Sequence, residues 1–463
     1  MKHYGNRVEN LTIAYIGGGS RGWAWGLMSD LAGAEDISGD VLLYDIDHAA
    51  AKDNEKIGNM YNNAVGAKTK WQYHYAQSLE QALTGADFVV ISILPGTFDE
   101  MESDVHCPEK YGIYQSVGDT VGPGGIIRAL RTIPMFEEIA LAVKAYCPEA
   151  WVINYTNPMT VCVKTLYEVF PEIKAFGCCH EVFGTQKLLA EAIEDICGME
   201  KPERSEIKVN VLGVNHYTWL TSARYRDMDL MPVYREFCEK YYETGYMKGK
   251  DDNWLNSHFA CTHRVKFDLF LKYGFIAAAG DRHLAEFNEG KLYLKSPETA
   301  RQWGFGLTPV SWRKKEQAEK ERRSRAKLSG EMPITLTPTG EEGVQQIRCL
   351  LGLDELVTNV NIPNKGQITN LPLGAVVETN AAFRAGELTP VLSGGIPINI
   401  YGHIARIVAV QEMVVRAGLD RDLDQAYLAF INDPLVTIGE DDARKLFNEM
   451  IDNTKTYLTE YFK

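Results

Sequence analysis

The sequence predicts an α/β protein built on a doubly wound parallel sheet, followed by a mixed α+β C-terminal lobe. Two observations carry this. Short apolar runs alternate with amphipathic helical stretches up to about residue 200, and the rhythm changes after it. The first apolar run also ends in a glycine-rich turn, and the second ends in an acidic residue. The first run, residues 11–17, is continuously apolar, as a strand covered on both faces must be. Trp23 to Ala34 reads as a helix, 40–44 as a strand and His48 to Val65 as a helix. Strand patterns recur at Phe88–Ile93 and Ala150–Asn154, with a helical segment between them broken at Pro134. Beyond the boundary, Ile207–Val214 reads as a strand and an aromatic-rich region follows. The charged run Arg313–Lys327 predicts an exposed helix face, and Tyr401 to Ala417 a long helix suited to burial. The expected domains are therefore 1–200 and 201–463.

Composition narrows the function classes. The chain has 463 residues, 45% of them hydrophobic, enough for a large core. A net charge of -14 leaves no electrostatic footprint for nucleic acid or an anionic membrane. No apolar run approaches the roughly 20 residues that span a bilayer. The polar Met1–Asn10 stretch lacks the apolar region of a secretory signal, and nine scattered cysteines suit reduced thiols. A cytoplasmic protein is the expectation.

Gly17-Gly18-Gly19-Ser20-Arg21-Gly22 fits G-x-G-x-x-G between a strand and a helix. Glycine is needed where backbone approaches a pyrophosphate, and the helix N terminus then offers unpaired N–H groups. Asp45 lies about 26 residues beyond Gly19, where a carboxylate accepts from ribose hydroxyls and repels a 2′-phosphate. This predicts a Rossmann-like site for NAD on Gly17, Gly19, Ser20, Gly22 and Asp45, with Asp47 as the neighbouring alternative. Cys179 and His216, each at the end of an apolar run, are a candidate thiolate–imidazole pair for a divalent ion; a core cysteine and a hydrogen-bonded histidine are the alternative.

Taken together, Ile13–Ser20, Gly122-Pro123-Gly124-Gly125 with Arg128 and Arg131, and Asn154-Tyr155-Thr156-Asn157-Pro158 resemble glycoside hydrolase family 4. So do Cys179-His180-Glu181-Val182, Gly213-Val214-Asn215-His216, Gly280-Asp281-Arg282-His283, and Asn361-Ile362-Pro363-Asn364 with Val377-Glu378. The resemblance runs along nearly the whole chain. It implies a lobe arrangement like that of lactate and malate dehydrogenases, NAD, a manganese-type ion on Cys179 and His216, and a homodimer or homotetramer. It places Asn154 on the nicotinamide side and Asn157 on sugar hydroxyls. Cys-His-Glu-Val resembles the α-galacturonidase subgroup, with α-glucuronidase and α-galactosidase as the alternatives within the family; His180 argues against a phosphosugar.

The chemistry implied by the resemblance is transient oxidation at sugar C3, removal of the C2 proton, elimination of the aglycone and addition of water. This is an exception to the paired-carboxylate scheme of most glycosidases. The C2 base is expected to be Asp281 rather than Tyr273, and His180 to contact the sugar or protonate the leaving oxygen. A uronate carboxylate would call for a guanidinium, from Arg128, Arg131 or Arg282. Glu181 is awkward beside such a substrate, and Asp119 is expected to cap a helix rather than to touch metal-bound water, the alternative. Two rivals fit less well. A 2-hydroxyacid dehydrogenase of the lactate/malate type would show Gly-x-His-Gly, which is absent from the sequence, and an NAD-responsive sensor would not need Cys179 and His216.

Overall fold

A computed structural model describes residues 1–247 and 258–463. Its main sheet has ten strands: β1 (Lys2–Tyr4), β2 (Arg7–Ile16), β3 (Ile37–Tyr44), β4 (Trp71–Tyr75), β5 (Phe88–Ile91), β6 (Trp151–Asn154), β7 (Lys174–Gly177), β12 (Leu356–Pro363), β13 (Val376–Arg384) and β14 (Glu387–Pro390). Parallel pairing gives the order β4-β3-β2-β5-β6-β7, the doubly wound arrangement expected from the sequence. The strand order reverses at β2, which opens a crevice at the carboxyl ends of β2 and β5. β12, β13 and β14 extend the same sheet antiparallel from β7, joined through Asn361 opposite Gly177. The chain beyond residue 200 thus returns to the first sheet.

Alternation along the strands explains why both faces are covered. Ile13 and Tyr15 join Val41, Leu43, Val90 and Ile153 in one core, while Ala14 and Ile16 join Val89, Ile91 and Val152 in another. A second sheet centres on β9 (Tyr217–Tyr225), paired antiparallel with β8 (Ile207–Val214), β10 (Met228–Asp229) and β11 (Ile276–Ala277). Among the described residues, no helix is long and apolar enough to cross a membrane.

Three local expectations are corrected. Pro134 does not break its helix, which runs unbroken over Gly122–Tyr146. Proline removes the amide that would bond Leu130 O, and the Tyr461 hydroxyl donates to that carbonyl instead, at 2.8 Å. Tyr461→Phe is therefore expected to cost about 1–2 kcal/mol in urea unfolding, the penalty of an orphaned buried carbonyl; an unchanged midpoint would show that the carbonyl needs no partner. The helix predicted at His48–Val65 stops at Tyr61. The charged helix, Val310–Ser329, is not exposed throughout: Ser324, Ala326 and Lys327 are buried, and Arg313 is half-buried.

Candidate active site

The loop after β2 carries the first half of the site. Gly17 has φ 93°, and a Cβ there would stand 2.0 Å from Ser92 O. A Cβ on Gly18 would meet Leu43 at 2.8 Å, and one on Gly19 would meet Asp45 Oδ2 at 2.8 Å. Gly22 is not crowded in this way; its nearest neighbour is Lys320 Nζ, 3.7 Å from an added Cβ. It stands at the N terminus of the Trp23–Gly33 helix, which no side chain caps. Ser20 N closes the turn onto Gly17 O at 3.0 Å. Asn54, which sequence reading missed, braces the loop by donating to Gly18 O at 2.8 Å and Ser20 O at 3.0 Å. Asp45 ends β3 and accepts from Gly19 N at 2.8 Å and Asp47 N at 2.9 Å; burial raises its pKa. Asp47 instead caps the next helix through Ala50 N. Backbone bared of side chains, an open helix N terminus and a carboxylate at the next strand end make a cradle suited to a dinucleotide. Gly17→Ala is expected to lower both thermal stability and dinucleotide affinity, because neither the φ nor the space admits a methyl; retention of both would exclude a steric role for Gly17.

The second half lies at the ends of β6, β7 and β8. Asn154 spends its side chain on a turn, with both its amide and its carbonyl 3.0 Å from Thr156 backbone partners. The turn leads to the cis Asn157–Pro158 bond. Asn157 Nδ2 donates to Asp119 Oδ2 at 3.2 Å, its backbone O accepts from Arg128 at 3.0 Å, and its buried Oδ1 has no partner among the described residues. His216 occupies the tight turn between β8 and β9 with φ 65°, a left-handed conformation unusual for histidine. Its Nδ1 lies 2.9 Å from Thr120 Oγ1, and its ring stacks on His283 with centroids 3.8 Å apart.

Asp119, His216 and His283 bring one ligand atom each within 4.8 Å of one another. Asp119 is thus no helix cap. The Gly122 amide is taken by Asp433 at 2.9 Å, while Asp119 turns to Thr120 and Asn157. Burial favours a neutral Asp119 carboxyl, but His283, His216 and Arg128 hold it well below the usual carboxylate range. Glu181 behaves alike. Burial raises it, yet His283, His216 and His180 bring it to about 2, and it accepts from Gly280 N at 2.7 Å. His216 itself is pushed down to about 3 by burial and by His283. A histidine whose folded pKa is depressed stabilises the fold above its unfolded value, and that stability is lost as pH falls. In metal-free protein the urea midpoint is therefore expected to decline between pH 6.5 and about 3, more steeply than in His216→Gln; parallel profiles would remove His216 as the cause.

Cys179 is buried beside Asn215, whose side chain reaches its thiol. Burial and the carboxylates of Glu378 and Glu181 raise the thiol far above its ordinary value, so it stays protonated unless a cation is bound. Glu378 ties this corner together. It accepts from Asn215 at 3.1 Å and from Asn359 at 2.7 Å, and Asn359 also holds Cys179 O at 3.1 Å.

Other predicted residues have partners of their own. His180 Nδ1 pairs with Glu341 at 2.9 Å, and its side chain is 55% exposed. Asp281 is fully buried, accepts from Lys266 N at 3.1 Å and neighbours Cys261 and His263; burial raises it to about 7. The Tyr273 hydroxyl lies 3.1 Å from His403 Nε2. Arg131 is committed to Asp104 through two contacts, at 3.0 and 2.5 Å, so it has no free fork for a substrate. Arg282 donates to Gly306 O at 3.1 Å and Ser116 O at 2.6 Å. In Gly-Asp-Arg-His it is His283, two residues on from Asp281, that enters the cluster.

Comparison with known proteins decides the family. The model described as family 4 glycosyl hydrolase matches residues 12–195, and its C-terminal domain matches residues 211–436. The chain belongs to glycoside hydrolase family 4. It is accordingly a glycoside hydrolase. A relative named α-galacturonidase from Thermoanaerobacterium saccharolyticum is 63% identical over 99% of this chain and 98% of its own length. A second of that name, from Bacillus subtilis, is 55% identical over 96% of this chain and 97% of its own length. A Bacillus subtilis crystal structure bearing a glucosidase name superposes with a TM-score of 0.91 at 55% identity, covering 96% of this chain and 100% of that one. A Thermotoga maritima 6-phospho-β-glucosidase solved with manganese, NAD+ and glucose-6-phosphate shares the fold, with a TM-score of 0.75 at 21% identity over 96% and 99% of the two chains.

Proposed function

We propose that this family 4 enzyme hydrolyses α-galacturonides, using NAD and a manganese-type divalent ion. The observation that carries the substrate is the name shared by the relatives 63% and 55% identical over nearly the full chain. The cofactors rest on the Gly17–Gly19 cradle, on the Asp119, His216 and His283 donor set, which among the described residues does not include the buried Cys179 thiol, and on the occupants of the Thermotoga maritima crystal.

When bound, the dinucleotide supplies a hydride acceptor that later returns the hydride, and the ion supplies a Lewis acid. The chain's own residues divide the remaining work. Gly17, Gly18 and Gly19 would let backbone meet the pyrophosphate, and Asp45 would accept from ribose hydroxyls. His216 and Cys179 would hold the ion, with Asp119 and His283 adjoining. The unpaired Oδ1 of Asn157 accepts from a sugar hydroxyl. Proton transfer at C2 falls to His283, whose buried Nδ1 has no partner among the described residues and whose Nε2 stands 3.8 Å from Glu181. Burial lowers the His283 pKa, so the ring is neutral and able to accept a proton.

The test incubates reduced protein with Mn(II) and NAD and compares nitrophenyl α-galacturonide, α-glucuronide and α-galactoside. The galacturonide is expected to turn over fastest, with deuterium at C2 slowing the reaction or washing out into solvent. Faster turnover of either other sugar would overturn the substrate, and retention of all C2 deuterium would overturn the proton abstraction.

A further inference from the structure

The helix predicted to be a solvated charged face hides one of its arginines. Arg313 lies on the first turn of Val310–Ser329 with a side chain 26% exposed, whereas Arg322 on the same helix is 61% exposed. Its Nε is shielded from solvent and has no hydrogen-bond partner among the described residues. The carboxylate paired with it, Glu316, stands at the limit of contact, 4.0 Å away. Arg282 lies close by. The two guanidinium carbons sit 4.7 Å (Arg282) and 5.3 Å (Arg313) from the Phe259 ring centroid. Burial and the charge of Arg313 together bring Arg282 down to about 10.

Two half-buried cations side by side repel each other and invite an anion between them. Arg282 is fixed by the carbonyls of Ser116 and Gly306, whereas the inner edge of Arg313 is unspent. Asp119 attracts both arginines, and Arg282 directly precedes His283 of the His216 cluster in the chain. Asp119 is itself bonded to Thr120 and Asn157, so it does not fill the role. In a pyranose the C6 substituent lies across the ring from O2 and O3, so a sugar reacting at the cluster projects C6 outward.

We infer that Arg313, with Arg282 beside it, binds the C6 carboxylate of the substrate and so selects acidic over neutral sugars. The inference rests on the galacturonide reading above and names the residue that would enforce it. Nε and Nη of one guanidinium match the two oxygens of a carboxylate, and Phe259 forms an apolar floor that strengthens the charge-assisted bonds.

Calorimetric titration of galacturonate and galactose into the Mn(II)- and NAD-loaded protein tests this. In Arg313→Gln the ratio of galacturonate to galactose affinity is expected to fall about 10- to 100-fold, the loss of hydrogen bonds to a charged group. Arg313→Lys keeps the charge but not the fork, and guards against misfolding; it is expected to lose less of the ratio. A wild-type ratio in both variants overturns the inference. If wild type hydrolyses the galacturonide while that ratio stays fixed, only the role of Arg313 falls. If wild type prefers neither sugar, the substrate reading falls with it.

Discussion

Replacing His216 with glycine is expected to stop hydrolysis yet give a more stable protein than replacing it with alanine. Both substitutions remove the imidazole that would hold the ion, and Lewis-acid stabilisation worth about 4 kcal/mol is lost with it, a rate effect of about a thousand-fold. The two differ only in backbone. Position 216 has φ 65°, where an L-residue pays about 1 kcal/mol or more and glycine pays nothing. Elsewhere glycine is the more destabilising choice, because it loses more conformational freedom on folding. The inverted order, read from paired urea curves, would show that the fold tolerates strain at this turn in order to aim a ring. Equal or normal ordering would mean that the turn relaxes and the conformation is incidental. Turnover surviving in either variant would remove the imidazole from the chemistry.

Much of the architecture was legible in the sequence, because burial on both faces leaves a local signature. A strand such as β5 reads Phe-Val-Val-Ile with every residue buried, and the glycines of the β2 loop announce themselves by spacing. Asp45 was found for the same reason, since strand and loop fix its place. The cluster around His216 was legible only in part. Its members come from residues 119, 181, 216 and 283, and no local pattern reports which side of a short helix faces inward. Asp281 and His283 are two residues apart on such a helix, and the sequence set Asp281 against Tyr273 with no signal pointing to His283. The return of β12 to pair with β7 was equally silent, resting on a single register pair between Asn361 and Gly177. Arg313 was lost inside a charged run, because charge predicts solvent exposure on average and not for each residue.

Arg131→Met is expected to be the most damaging single substitution away from the cluster, costing about 3–5 kcal/mol of stability. Arg131 and Asp104 are buried, with side-chain exposures of 0% and 1%, and meet fork to fork. Burying either charge alone is prohibitive, and the pair survives because each satisfies the other. Methionine fills much the same volume but leaves the Asp104 carboxylate without a counter-charge in the interior, so the loss exceeds that of the hydrogen bonds themselves. The companion experiment removes both charges. Arg131→Met with Asp104→Leu is expected to recover most of the loss, since a well-packed apolar pair often matches a buried ion pair. A double variant as unstable as the single one would mean that the pair is needed for more than mutual neutralisation. The Gly122–Tyr146 helix carries Arg131 and, one turn earlier, Arg128, which holds Asn157 O at 3.0 Å. The ion pair therefore lies on the same helix as the arginine that holds the Asn157 loop. Activity in the double variant is expected to return with stability, and a stable but inactive double variant would show that the ion pair sets the loop's position rather than only the fold's stability.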